Sequence, residues 1–239
     1  MSATDVIQGL WIGDALSTME RLSIMSFLAH GHEYHLYVYG TVSNVPPGTR
    51  LKPAGEILPE SMIFQYTQYP TYAGFANSFR YKLLLDRGGW WADMDAICLR
   101  PFDLEEEYVF GSELTAEGHT TPTNAFIKSP AGSEVMNYAW EQCRAKDPRQ
   151  LTWGETGPRL VNEAIRKFSL VRFIQDYTIF TPVSHFEWER LVEPGWTGEF
   201  DASTRALHLW NEKWRRAGRD KNANYPQNSL YERLKALYL

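Results

Sequence analysis

The sequence predicts an α/β fold with a mostly parallel sheet, and three observations carry that expectation. Strand-like and helix-like segments alternate through the first half of the chain, which is the pattern of βαβ units. A helix-like run over 72–87 stops at the pair Gly88-Gly89, where glycine ends a helix without steric penalty. The apolar run Trp90-Trp91-Ala92 then leads into two acids, Asp93 and Asp95. In open α/β sheets ligands bind beyond the carboxyl ends of the strands, so that tip is where a site is expected.

Each element follows from its pattern. Residues 6–12 read as a buried strand, 15–29 as an amphipathic helix and 34–39 as an alternating second strand. The Pro- and Gly-rich stretch 41–59 reads as a loop. In the 72–87 helix, Phe75, Phe79 and Leu83 share one stripe. Further strands are expected at 108–112 and 124–128, and a helix at 132–145. Thr156-Gly157-Pro158 opens another helix, since proline suits the first turn. Short strands are expected at 171–174 and 178–180, a late apolar segment at 206–210, and a closing amphipathic helix at 229–239. With 239 residues and no repeat, one domain over 1–239 is expected. Its first half is 1–112, and its second half, with the closing segment, is 113–239.

Composition narrows the function classes. A formal charge of −5 argues against a nucleic-acid binder. Nine Trp and thirteen Tyr suit sugar and base stacking as well as core filling. The two cysteines, Cys98 and Cys143, form neither a disulfide framework nor a zinc spacing. The chain shows no basic-then-apolar leader, and its longest uncharged stretch, 61–79, is too polar to span a bilayer. A cytoplasmic protein with at most peripheral membrane contact is expected. Lys213, Arg215, Arg216, Arg219 and Lys221 cluster late, and read as a solvated loop or as a contact for an anionic substrate or surface.

Chemistry concentrates around the two acids. Along an extended strand residues i and i+2 point the same way, so Asp93 and Asp95 face one spot, where like charges call for a cation. Mn²⁺ or Mg²⁺ is held by one or two carboxylates with water and phosphate oxygens. Asn77 and Arg80 share a face of the preceding helix, and an Arg there suits a phosphate or sugar hydroxyls. Trp11, ahead of Ile12 and Gly13, ends the first strand and suits a nucleobase, with Asp14 suited to a ribose; a core role for Trp11 stays open. His208, near Trp210, Asn211 and Trp214, is a candidate third metal ligand or phosphate contact.

At these residues the chain resembles the DxD-containing glycosyltransferases of family 32, which include α-1,4-galactosyltransferases and initiating α-1,6-mannosyltransferases. More distantly it is similar to the catalytic domains of large glucosylating bacterial toxins. The matching block is Ala76-Asn77-Ser78-Phe79-Arg80-Tyr81 followed by Gly88-Gly89-Trp90-Trp91-Ala92-Asp93-Met94-Asp95. Thr156-Gly157-Pro158 resembles the family's T-G-P segment, His208 to Trp214 its H-x-W-x-x-x-W ending, and Trp11-Ile12-Gly13 the toxins' W-I-G, whose Trp stacks on uracil. Two departures stand out: Asn77 replaces an Asp that bonds the donor sugar, and Trp91 replaces a Tyr.

The resemblance implies a GT-A-type nucleotide-sugar-binding fold, a divalent metal (Mn²⁺ or Mg²⁺) and retention of anomeric configuration. The expected donor is a nucleotide-diphosphate sugar, a UDP-sugar being favoured, and the acceptor a glycan or glycolipid, with bacterial surface polysaccharide synthesis as the setting. Asp93, Asp95 and His208 are expected to hold the metal. Trp11, Ile12, Gly13, Asn77, Arg80, Trp91, Asp93, Trp210 and Asn211 are expected on the donor, and Asn124 and Thr156 on the acceptor side. Asp93, Asp95, Arg80 and Glu155 are the candidate catalytic residues. Two rivals remain. A haloacid dehalogenase-type phosphatase also carries D-x-D after an apolar strand, but usually has Thr where this chain has Ile97. A catalytically silent sugar-nucleotide-binding module would keep the fold without turnover.

Overall fold

The polypeptide builds a central six-stranded sheet and sets helices on both faces. The computed structural model describes residues 6–196 and 198–239. In chain order these form β1 (Val6–Trp11), α1 (Thr18–Ala29), β2 (Glu33–Val38), β3 (Arg50–Pro53), α2 (Ala73–Arg87), β4 (Gly89–Ala92) and β5 (Ala96–Cys98). The second half adds β6 (Val109–Leu114), β7 (Thr120–Ser129), α3 (Glu134–Arg144), α4 (Pro158–Lys167), α5 (Tyr177–Phe180), β8 (Ala206–His208), α6 (Asn211–Arg216) and α7 (Leu230–Tyr238).

The six-stranded sheet has the order β3-β2-β1-β4-β7-β6. Strands β3, β2, β1 and β4 pair in parallel, while β7 runs antiparallel to both β4 and β6. It follows that β6 points the same way as β4, and only β7 is reversed. The carboxyl ends of β1, β4 and β6 therefore share one edge. Side-chain alternation sorts β4 between two cores. Trp91 joins Phe79, Leu83, Met136 and Val161 beneath α2, α3 and α4. Trp90 and Ala92 join Phe27, Phe102 and Phe126 on the α1 side.

The turn between α2 and β4 depends on a glycine. Gly88 has φ 64, and a Cβ there would stand 2.5 Å from the Ala131 backbone nitrogen. No side chain fits such a spot, so the helix must stop here and the chain must enter the sheet. A second sheet pairs only β5 with β8, antiparallel, with Ala96 opposite His208. Trp188, Leu207, Trp214 and Leu234 form a third core that docks the C-terminal segment onto Met19 and Leu22 of α1.

The mostly parallel α/β sheet and its flanking helices are as expected; several local expectations are corrected. The 41–59 stretch contains a sheet strand, β3. The expected strands at 171–174 and 178–180 are a single 3₁₀ turn and the short helix α5. Asp176 explains the latter, because its carboxylate accepts from Thr178 N at 2.9 Å and caps a helical turn. Asp93-Met94-Asp95 is also not extended. The strand ends at Ala92, and a turn closed by Ala96 N to Asp93 O at 3.0 Å carries the acids.

Candidate active site

Asp93 continues the Trp91 face of β4 and so meets α2. Arg80 Nη1 lies 2.9 Å from Asp93 Oδ1, and Trp91 Nε1 donates to the same oxygen at 2.8 Å. The guanidinium also stands 4.8 Å from the centre of the Trp91 ring and donates to the Asn124 carbonyl. A buried arginine is tolerable only when so surrounded.

Asp95 is built differently, through the small sheet. Register places His208 opposite Ala96, Leu209 N donates to Asp95 O at 2.9 Å, and His208 Nε2 lies 3.0 Å from Asp95 Oδ1. Trp210 turns the chain into the left-handed region at φ 60, after which Asn211 N donates to Asp95 Oδ2 at 2.7 Å. Three hydrogen bonds thus close a gap of more than a hundred residues. Ligand atoms of Asp93, Asp95 and His208 all lie within 4.8 Å of one another.

Burial and charge set the ionisation of this cluster. Burial raises the Asp93 carboxyl above its ordinary range; Arg80 opposes the rise and Asp95 adds to it. Burial would raise Asp95 too, but the His208 charge and hydrogen bond and the Asn211 N–H outweigh it, and its pKa is lowered. Burial would lower His208, yet Asp95 more than compensates and its pKa is raised. The donor set fits a divalent ion: two carboxylates and an imidazole suit Mn²⁺-type cations. His208 Nδ1 is a buried nitrogen without a hydrogen-bond partner among the described residues. Carboxylate charge concentrated at one point would be relieved by such an ion.

Two cleft lobes flank the acids, and Arg80, Asp93, Asp95 and Trp153 line both. One lobe, about 330 Å³, is lined by Trp11, Ile12, Tyr72, Trp91 and Asn211. Trp11 presents its ring there with Lys221 Nζ 5.5 Å from the ring centre, and its buried Nε1 has no partner among the described residues. Gly13, at φ 149, keeps clear of that indole: a Cβ would stand 3.3 Å from Nε1. The other lobe, about 350 Å³, contains Asn77, Asn124, Glu113, His185, Trp210 and Lys213. Asn124 Nδ2 donates to Asn77 Oδ1 at 2.7 Å, and Asn77 Nδ2 donates to Thr156 Oγ1 at 3.3 Å.

Several candidates sit elsewhere than expected. Glu155 does not line the cleft. Its carboxylate pairs with Lys146 at 2.6 Å and caps Thr152 N at 3.0 Å, which holds its pKa down to about 2. Thr156 is fully buried and holds Asn77 and Tyr81 in place, the latter through Tyr81 OH to Thr156 O at 2.8 Å, so it is not exposed to an acceptor. Trp210 lies in the Asn77 lobe rather than beside Trp11, with its indole N–H on Val183 O at 2.9 Å. Trp91 has its N–H on Asp93 and acts through that acid. The late basic cluster is largely paired: Arg215 and Arg216 bind Glu212, and Lys221 binds the buried Glu20. Glu113 and Trp153 escaped the sequence reading. A position at the carboxyl end of β6 was the available signal for Glu113; Trp153 had only its place just before Thr156-Gly157-Pro158.

The displaced Glu155 gives a checkable result. Glu155→Gln is expected to leave turnover unchanged and to lower stability by about 1 kcal/mol, as for a partly exposed ion pair with one cap. Because folding depresses this pKa, the contribution is present above pH 4.5 and is lost as pH falls toward 2. Thermal melts of both proteins across that window would show the difference shrinking.

Residues 47–111 match the family model described as glycosyltransferase sugar-binding region containing DXD motif, a span that includes Asn77, Arg80, Asp93 and Asp95. No curated protein matches the chain by sequence. Among solved structures, the PaToxG glycosyltransferase is similar at 17% identity over 69% of each chain, with a TM-score of 0.49. Two structures described only as a transferase, one of them a mutant, are similar at 11% and 10% identity with TM-scores of 0.42 and 0.43. They cover 81% and 74% of this chain, and 92% and 88% of their own. The sheet with its lone reversed strand is the mostly parallel α/β arrangement that the sequence predicts. A DXD sugar-binding region is thus matched across 47–111, about a quarter of the chain, and its two acids gather in one cleft.

Proposed function

We propose that the enzyme moves a hexose from a UDP-sugar to a hydroxyl of a glycan or glycolipid, using a divalent ion and retaining the anomeric configuration. The observation that carries the reading is the convergence of Asp93, Asp95 and His208 within 4.8 Å between two cleft lobes. In this reading Asp93, Asp95 and His208 hold Mn²⁺ or Mg²⁺, which when bound neutralises charge on a departing diphosphate. Trp11 stacks on the base, and the chain path at Ile12 and Gly13 keeps its lobe open. Arg80, fixed by Asp93 and the Asn124 carbonyl, lies where it can face donor oxygens, and the Asn77–Asn124 amide pair orients the sugar. Both halves, 1–112 and 113–239, thus contribute. Among the described residues no helix is long and apolar enough to cross a membrane, and a cytoplasmic-face role in bacterial surface polysaccharide assembly is the setting we favour.

A thermal-shift screen of nucleotide-sugars with and without Mn²⁺ tests this reading. Stabilisation by a UDP-sugar only when Mn²⁺ is present supports it; a best response to another base, or none to any, contradicts it. The stacking role has its own prediction. Trp11→Ala should weaken UDP binding about 10- to 100-fold, since base–aromatic stacking is worth about 1–3 kcal/mol. Calorimetric titration of UDP in Mn²⁺ would measure it, and an unchanged Kd would remove Trp11 from the base site.

A further inference from the structure

Two opposite charges line the Asn77 lobe without meeting each other. Of the carboxylates that line the cleft, Asp93 has Arg80 and Trp91, Asp95 has His208 and Asn211 N, Glu212 has Arg215 and Arg216, and Glu20 has Lys221. Glu113 is half-buried in the same cleft, yet no described residue hydrogen-bonds or ion-pairs with its side chain. Lys213, also half-buried and in the same lobe, has no carboxylate within ion-pair distance among the described residues; its ammonium stands 5.7 Å from the Phe186 ring centre. Burial raises the Glu113 pKa, and the charges of His208 and Lys213 offset only part of the rise. Partial desolvation without a hydrogen-bond partner is unfavourable for a carboxylate. An acid left so in a cleft marks a group that meets its partner in a ligand.

Topology says which part of a ligand that is. β6 and β4 point the same way with β7 between them, so Glu113 and Asp93 rise from the same edge of the sheet. Asp93 N bonds Ala125 O while Glu113 pairs with Thr121, so Glu113 stands farther along β7, away from the metal-site acids. Asn124 lies on β7 between those two levels and lines the same lobe. Its amide partner Asn77 already spends its oxygen on Asn124 and an N–H on Thr156 Oγ1. The Glu113 carboxylate is therefore the lobe's strongest uncommitted acceptor, and Lys213 supplies an uncommitted donor. Neighbouring hydroxyls of a neutral sugar donate and accept, so they can satisfy both where a charged ligand would satisfy one and oppose the other.

We propose that Glu113 is a specificity residue for the donor sugar, its carboxylate accepting hydrogen bonds from ring hydroxyls of a neutral hexose away from the anomeric carbon. This role rests on the UDP-sugar reading above and sharpens the hexose in it. With the diphosphate at Asp93, Asp95 and His208 and the ring at the Asn77–Asn124 pair, those hydroxyls are the part of the donor that Glu113 meets. No covalent bond forms or breaks at Glu113, and retention at the anomeric carbon is untouched. Discrimination follows from desolvation: a donor lacking the hydroxyl leaves a half-buried carboxylate without its partner.

The experiment titrates the full chain and its Glu113→Gln variant calorimetrically, in Mn²⁺, with UDP, with UDP-glucose and UDP-galactose, and with the monodeoxy analogues of each. Glu113→Gln should weaken the better-bound UDP-hexose about 10-fold or more, the scale of a hydrogen bond to a charged group. UDP itself should bind both proteins within about twofold. One monodeoxy analogue should bind the wild type about 10-fold more weakly than its parent, yet bind Glu113→Gln as well as the parent does, since variant and analogue remove the same contact. The melting temperature of Glu113→Gln should stay level or rise, because an unpaired charge has left a half-buried position. Unchanged UDP-hexose affinity in Glu113→Gln overturns the assignment, as does a parallel loss of UDP affinity or the lack of any analogue that closes the difference. So does a wild type that binds UDP but neither UDP-hexose. A wild type that binds no nucleotide overturns the UDP-sugar reading itself, and this assignment with it.

Discussion

Asp95→Asn is expected to lower kcat/KM for sugar transfer about 1,000-fold while the protein stays folded. Two consequences of one residue combine here. The carboxylate accepts from His208 Nε2 and from Asn211 N, so it fixes both the third ligand and the turn into α6. An amide keeps one oxygen for Asn211 N but loses the negative charge that draws a divalent ion. A loss of about 4 kcal/mol in transition-state stabilisation corresponds to that factor. The backbone bond from Leu209 N to Asp95 O is untouched, which is why the β5–β8 pair should survive. Steady-state rates and a thermal melt measured together would check both halves; full activity with intact folding would remove Asp95 from the chemistry.

The second large effect is on stability. Arg80→Met is expected to destabilise the protein by about 3–5 kcal/mol, because breaking a buried pair leaves an uncompensated charge. Arg80 is only 4% exposed, and its loss strands Asp93 beside Asp95 with Trp91 Nε1 alone to support it. For a chain of this size the melting temperature should fall by about 10 °C. Acidity should relieve the defect. Folding raises the Asp93 pKa above 3.8 even with Arg80 present, so the folded state takes up the proton first and gains stability as pH falls toward that value. Without Arg80 the rise is larger, and in metal-free buffer the gap between variant and wild type should narrow on acidification. Melts over the acid range would show it, and a gap that widens would exclude Asp93 as the stranded charge.

Much of this architecture was legible in the chain. Apart from β3, the β1-to-β4 region was readable because apolar strands, amphipathic helices and the glycine stop each follow local rules, and α2 runs to Arg87 much as its Phe75-Phe79-Leu83 stripe demands. Arg80 and the two acids were readable for the same reason, since only a short helix–turn–strand connects them. The way the acids converge was not. An extended strand was expected, whereas a turn closed by Ala96 N and pinned by β8 carries them. That pinning depends on a strand more than a hundred residues away, and no local pattern reveals such a pairing. Glu155 misled because it adjoins the Thr156-Gly157-Pro158 segment; only tertiary placement shows Lys146 neutralising it. Glu113 was invisible for the converse reason, because an acid at the end of a strand becomes conspicuous only when its neighbours are seen not to pair with it.

In the proposed reaction Asp93, Asp95 and His208 hold a divalent ion that receives a nucleoside diphosphate. Calorimetric titration of UDP into the full chain, once with Mn²⁺ and once with EDTA, tests it most directly. Single-site binding is expected with Mn²⁺, weakening at least about 100-fold in EDTA, a difference of about 3 kcal/mol. Equal affinity in the two buffers, or no binding in either, would contradict it.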